Sequence, residues 1–194
     1  MRVAYLLFMK LKLLTFLAVC SVLSCKQKEQ PVQTGEGTYF SIIDYVADQW
    51  EMNIGQPYGI DKITFINGKP DTLHTNAEQI DWVAIFRVFT ATDISDAKYL
   101  DKYNFSAYAD SVNNTMNFYY DAKDIKLFTQ KLYLTANPRN GRISSVYIET
   151  RKNNTWGTRT QRLFYIPSTS IVIQEFEAKA SGDKKDIRVE YRFL

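Results

Sequence analysis

The chain has 194 residues, 45% of them hydrophobic and 14% aromatic, enough for one domain with its own apolar core. Its formal charge of +3 sits at the start: Arg2, Lys10 and Lys12 are the only charged residues up to position 25, and the remainder balances 21 Lys plus Arg against 21 Asp plus Glu. A neutral domain lacks the basic footprint that displaces counterions from phosphates, so nucleic acid is not an expected partner.

The first 24 residues read as a secretory signal, with basic residues first, the apolar run Leu13 to Leu23 next and the small residue Ser24 last. A spanning helix would need about 20 apolar residues, and Lys10 and Lys12 interrupt the run. An uncleaved anchor helix is the alternative. Val22-Leu23-Ser24-Cys25 resembles the lipobox of bacterial lipoproteins. That resemblance implies removal of residues 1–24 and lipidation of Cys25, and hence a membrane partner reached through a lipid anchor. At about 0.8 kcal/mol per buried CH₂, more than one acyl chain gives stable attachment. Lys26 stands where the inner-membrane retention pattern would have Asp, so the implied destination is the outer membrane, facing the periplasm or the cell surface. Cys20 would leave with the signal, and a single remaining cysteine excludes an internal disulfide.

With Cys25, residues up to 37 form a polar tether. From Lys26 to Gly37 it contains one proline, two glycines and Val32 as its one clear aliphatic residue. As a flexible coil it spans roughly 20 Å. Residues 38–194 then form a single domain without internal repeats.

Phe40, Ile43, Val46, Ala47 and Trp50 recur at helical spacing and predict a helix over about 39–52. Asn67-Gly68 between Lys62–Ile66 and Lys69–Thr75 predicts a tight hairpin, with Pro70 marking an edge strand. A second helix is expected from Asn76, which can cap it while Gln79 reaches back. Its stripe would be Ile80, Val83 and Phe86, extended by Val88 and Phe89. Asp93 or Ser95 can start a short third helix through Lys102, carrying Ala97 and Leu100. Met116, Phe118 and Tyr120 then alternate with polar or outward residues as in a half-buried strand. Strands are expected near 126–135, 142–151, 158–166, 170–178 and 186–193, joined by connectors short enough for antiparallel neighbours. In the last strand, Ile187, Val189, Tyr191 and Phe193 share a face opposite Arg188, Glu190 and Arg192.

The expected fold class is α+β, with N-terminal helices packed on a twisted antiparallel β-meander that can curve into an open half-barrel. Over residues 39–194 this order of elements resembles the half-barrel carriers and receptors of lipoproteins in Gram-negative envelopes. The resemblance implies room for an acyl chain between helices and sheet. Close packing of native interiors favours instead a core in which helices and sheet fill each other.

Catalytic chemistry has few candidates. His74 is the only histidine and sits in a predicted edge strand, and no Gly-x-Ser-x-Gly elbow or phosphate-cradling glycine loop is present. One histidine and one lipidated cysteine do not make a zinc site. Asp93, Asp96 and Asp101 lack calcium-loop spacing. No catalytic, metal or cofactor residue is assigned. Two aromatic residues are candidates for surface contact, Trp156 at a turn tip and Tyr119 on an outer sheet face. Asp71-Thr72-Leu73 and Asp110-Ser111-Val112 resemble a short O-glycosylation sequence used by some envelope bacteria, a three-residue pattern that also arises by chance. The expected function is that of a non-enzymatic envelope lipoprotein binding an apolar ligand or an envelope protein. A carboxylate-dependent hydrolase and a purely structural adaptor are the alternatives.

Overall fold

Asn67 and Gly68 take positive φ, 50° and 83°, and close the hairpin between β1 (Gly59–Ile66) and β2 (Lys69–Asn76). Glycine meets no steric cost there and asparagine tolerates the conformation, which is why this pair makes the turn. The computed structural model describes residues 39–194, so the signal-type segment, Cys25 and the tether lie outside the described residues. A helix, α1 (Ile42–Asn53), precedes the hairpin, and α2 (Trp82–Thr90) follows it. Seven further strands then run to the C-terminus. They are β3 (Tyr103–Asp110), β4 (Thr115–Ala122), β5 (Thr129–Ala136), β6 (Ile143–Asn154), β7 (Gly157–Ile166), β8 (Ser170–Lys179) and β9 (Lys184–Phe193).

The nine strands of the described residues belong to one open antiparallel sheet in the order β2-β1-β9-β8-β7-β6-β5-β4-β3. From β3 to β9 it is a meander. The early hairpin completes it by pairing β1 with β9, from Ile60 opposite Phe193 to Ile66 opposite Ile187. The Asn67 side chain reinforces this join, accepting from Asp186 N at 3.2 Å.

Strand alternation puts Phe118, Leu134, Val146, Tyr165, Ile171 and Tyr191 in one continuous cross-strand row, and all six are buried. Ile42, Tyr45 and Val46 of α1 and Trp82, Ile85, Phe86 and Phe89 of α2 belong to the same core cluster. Leu132, Ile148, Leu163 and Ile171 are completely covered, and burying each such side chain is worth about 1.5–3 kcal/mol relative to leaving it in water. Trp82 stacks on both Phe86 and Phe193, which ties α2 to the C-terminal strand.

The helices differ from the sequence expectation in three ways. First, although helix, hairpin and helix follow one another as expected, the helices do not form one N-terminal group, since β1 and β2 between them belong to the sheet. Second, their buried faces are rotated. In α1, Ile43 is 51% exposed while Gln49 and Asn53 are buried, since both amides meet the Tyr165 hydroxyl. Polar residues on an inward face disguise the stripe. Asn76 does accept from Gln79 N at 3.1 Å, but that cap closes only the 3₁₀ turn Ala77–Gln79. Asp81 then caps α2 by accepting from Ala84 N at 2.9 Å, so the helix starts at Trp82 and buries Trp82, Ile85, Phe86 and Phe89 instead of Val83.

Third, the short helix near Lys102 is a single 3₁₀ turn, Ala97–Tyr99, capped by Asp96. Lys123 N donates to Lys102 O at 2.9 Å and draws the chain into the sheet. β3 follows at once. It escapes pattern recognition because its alternation places small alanines where a strand usually carries large apolar residues.

Candidate functional site

The sheet face opposite the core carries a row of aromatic side chains in direct register. Tyr119 pairs with Tyr133, Tyr133 with Tyr147, and Tyr147 with Phe164, across β4, β5, β6 and β7. Adjacent strands lie about 4.8 Å apart, so aligned rings must touch. Tyr119 and Tyr133 meet edge to face at 4.7 Å between centroids, and Tyr133 and Tyr147 are tilted at 5.7 Å. Tyr108 of β3 extends the row, stacked on Tyr119 at 5.4 Å with 9° between planes. Their hydroxyls share a hydrogen bond of 2.8 Å.

A charged row runs beside it, two residues along each strand. Asp121 stands opposite Lys131, Lys131 opposite Glu149, and Glu149 opposite Arg162. Signs alternate across four strands, an arrangement that cross-strand attraction favours. The two rows are joined: the Tyr133 hydroxyl donates to Asp121 Oδ1 at 2.7 Å and the Tyr147 hydroxyl to Glu149 Oε2 at 3.1 Å. Arg162 pairs with Glu149 at 3.5 Å and lies over the Phe176 ring at 5.3 Å.

These contacts hold the phenols in their neutral form. The hydrogen bond shared with Tyr108 is the largest cause raising Tyr119, to about 12. Burial, then the Asp121 carboxylate, push Tyr133 up, and burial followed by Glu149 does the same for Tyr147. A phenolate beside a carboxylate would meet like charge. The surface therefore offers apolar ring edges, neutral hydroxyls and paired charges that hold one another in place.

Tyr119 lies within this row. Trp156 does not; it is 80% exposed in the two-residue turn between β6 and β7, where Asn154 opposes Gly157. The structure does not join these two candidates. Cys25 lies outside the described residues. His74 is exposed on β2 and bonds Asp61 across the hairpin at 2.5 Å. Asp93 accepts from Ile42 N at 2.7 Å and from the Ser95 hydroxyl at 2.6 Å, so it caps α1 from a distance. Asp96 caps its 3₁₀ turn. Among the described residues no cluster of His, Cys, Asp or Glu is arranged to hold a metal ion, and no helix is long and apolar enough to cross a membrane.

Tyr147 and Phe164 were not singled out by sequence reasoning. Each occupies an alternate position in a correctly expected strand, but membership of one row depends on register between strands, which strand periodicity does not specify. Two depressions lie elsewhere. One of about 290 Å³ is lined by residues of β7, β8 and β9 such as Phe176 and Lys184, the other of about 380 Å³ by Ile125, Lys126, Phe128, Arg151, Lys152 and Asn153.

Comparison with protein-family models, curated proteins and solved structures returned no match to this chain.

Proposed function

We propose that this is a non-enzymatic outer-membrane lipoprotein, anchored through Cys25, that binds an envelope protein partner across its open sheet face. The observation that carries the binding role is the contact row Tyr108-Tyr119-Tyr133-Tyr147 on the face opposite the core. Tyrosine joins a large apolar ring to a polar tip, and it is enriched where few residues carry most of the binding energy. Rings already held by one another lose little freedom on association, which lowers the cost of binding. In this reading the sheet curves as an open half-barrel around the two helices.

Two alternatives fit the geometry less well. An acyl carrier needs enclosed apolar space between helices and sheet, where Tyr165 contacts the rings of Tyr45, Phe86 and Phe89. A glycosidase-type hydrolase needs two carboxylates across a cleft. Asp121 and Glu149 instead share one sheet face with Lys131 between them and tyrosine hydroxyls bound to both.

The test places a photo-crosslinking residue at Tyr119 or Tyr147 of the full chain in intact envelopes, with Val83 on α2 as the control position. One discrete adduct is expected from the sheet positions, absent at Val83 and lost when Tyr133→Ala is added. Equal adducts at all positions, or none at the tyrosines, would reject the sheet-face reading. Mass spectrometry of membrane-extracted protein tests the anchor separately: residues 1–24 should be missing and Cys25 acylated. Full-length, unmodified protein would refute that part.

A further inference from the structure

Three connections meet at one end of the sheet. The segment 123–128 joins β4 to β5, Thr155-Trp156 joins β6 to β7, and 180–183 joins β8 to β9. Backbone bonds link them: Arg151 N donates to Phe128 O and Ala180 N to Trp156 O, each at 2.8 Å. Together they expose Trp156, Ile125 at 55% and Phe128 at 37%. Trp156 is held outward by its own turn, since Asn154 Oδ1 accepts from its backbone N at 3.0 Å.

Charge is concentrated at the same end. Segments 123–128, 151–156 and 179–185 contain seven basic residues and two acidic ones, whereas residues 39–194 as a whole balance 19 against 19. Lys123, Lys126, Lys152, Lys179, Lys184 and Lys185 are exposed, and none joins an ion pair among the described residues. Both acids already accept local bonds, Asp124 from Lys126 N and Asp183 from the Ser181 hydroxyl. At the inner margin of this end Glu177 stands in one cross-strand row with Lys152, Arg159 and Lys185, and further into the sheet Glu175 pairs with Arg159.

The chain also enters the described region here. Tyr39 packs its ring against Tyr103 and Tyr120 and donates to Tyr103 O at 3.3 Å. Tyr103 opens β3 opposite Ala122, the residue before the Lys123 connection. Cys25 lies 14 residues earlier, a path of at most about 50 Å when fully extended.

We infer that this end of the sheet is a second membrane contact, in which Trp156, Ile125 and Phe128 enter the interfacial layer while the lysines meet anionic lipid headgroups. Indole is suited to that layer because its body is apolar and its N–H is polar. Basic side chains near an anionic leaflet gain from its negative surface potential, and a lipid chain combined with a basic patch binds more firmly than either alone. The inference rests on the lipoprotein reading for the identity of the membrane, while the tip itself stands on exposure and charge.

The test reconstitutes the full chain into vesicles of phosphatidylethanolamine and phosphatidylglycerol, with and without bromine on the acyl chains. Bromine-dependent quenching of tryptophan emission is expected, reduced several-fold by Lys184→Glu with Lys185→Glu and by replacing phosphatidylglycerol with phosphatidylcholine. Trp156→Phe should remove the bromine-dependent part, leaving Trp50 and Trp82; an unchanged circular dichroism spectrum confirms that each variant is folded. Equal emission in brominated and ordinary lipid, or quenching that survives Trp156→Phe, would overturn the inference. Acylation of Cys25, read by mass, separates the two ideas. An acylated chain with unquenched Trp156 loses the tip and keeps the anchor, and an unacylated chain with quenched Trp156 does the reverse.

Discussion

The Tyr165 hydroxyl donates to Gln49 Oε1 at 2.8 Å, joining residues 116 positions apart. Asn53 Nδ2 approaches the same hydroxyl at 3.4 Å and donates to Gln49 O at 2.7 Å. Two amides from α1 and one phenol from β7 thus form a small polar center inside an aromatic core. It specifies which face of α1 turns inward, because burial of these groups without partners would be costly.

Tyr165→Phe keeps the ring and removes the bond. It should destabilise the domain by about 1–3 kcal/mol, since Gln49 and Asn53 are left short of partners in a buried place. Urea unfolding is expected to show a lower midpoint with an unchanged slope. An unaltered midpoint would mean that the amides find other partners.

Gly157 has φ of 153°, and a Cβ built there would collide with the Ala178 carbonyl oxygen. Gly157→Ala must therefore shift β7 away from β8 at the Trp156 turn. A loss of about 1–3 kcal/mol is expected, with hydrogen exchange quickening first in residues 154–158 and 178–180. Gly68→Ala meets open space and only backbone strain, so it should cost less.

Tyrosine ionisation should set the alkaline limit. Burial raises Tyr165 to about 12, and the hydrogen bond shared with Tyr108 is the main cause raising Tyr119 to about 12; burial also raises Tyr45 and Tyr103. A native value above the unfolded one of about 10 favours the neutral phenol in the folded chain. The stabilisation is complete below about pH 10 and declines from there to about pH 12. Denaturant midpoints across that range should fall together with the appearance of phenolate absorbance from buried rings. Constant midpoints up to pH 12 would contradict the assignment.

The two sheet edges differ in protection. β2 opens with Lys69, Pro70 and Asp71, whereas β3 has no charge before Asp110. Because Lys123 N donates to Lys102 O across the ladder, Phe105, Ala107 and Ala109 turn their N–H and C=O groups outward. Unprotected edges template further pairing. Ala107→Lys should reduce light scattering during concentrated refolding without changing the unfolding midpoint, and equal scattering would clear β3 of this role.

The hairpin at Asn67-Gly68 and the strands from β4 onward were legible because their signals are local: positive φ at a turn, alternation by two, short connectors. The same locality misled at the helices. Asn76 does cap the turn as expected, but the Gln79 side chain accepts from the Thr75 hydroxyl and Asp81 begins a new helix two residues after that turn ends. Ile43 and Val83 look apolar enough to face inward, but Gln49 and Asn53 take the buried side of α1 and Trp82 sets the phase of α2. Tyr119 was recognisable as outward-facing from its alternation with Phe118 and Tyr120. Its membership of a row with Tyr133 and Tyr147 was not.

The leader pattern, the neutral balance of charge, the tight hairpin and most strands follow from residues within a few positions of each other, where backbone preference and side-chain period act directly. Closure of the early hairpin onto β9, the buried amides of α1 and the tyrosine row require segments far apart along the chain to come into register. Their arrangement depends on burial summed over the whole sheet against the entropy of closing long loops, a balance set among distant partners and invisible within any short stretch.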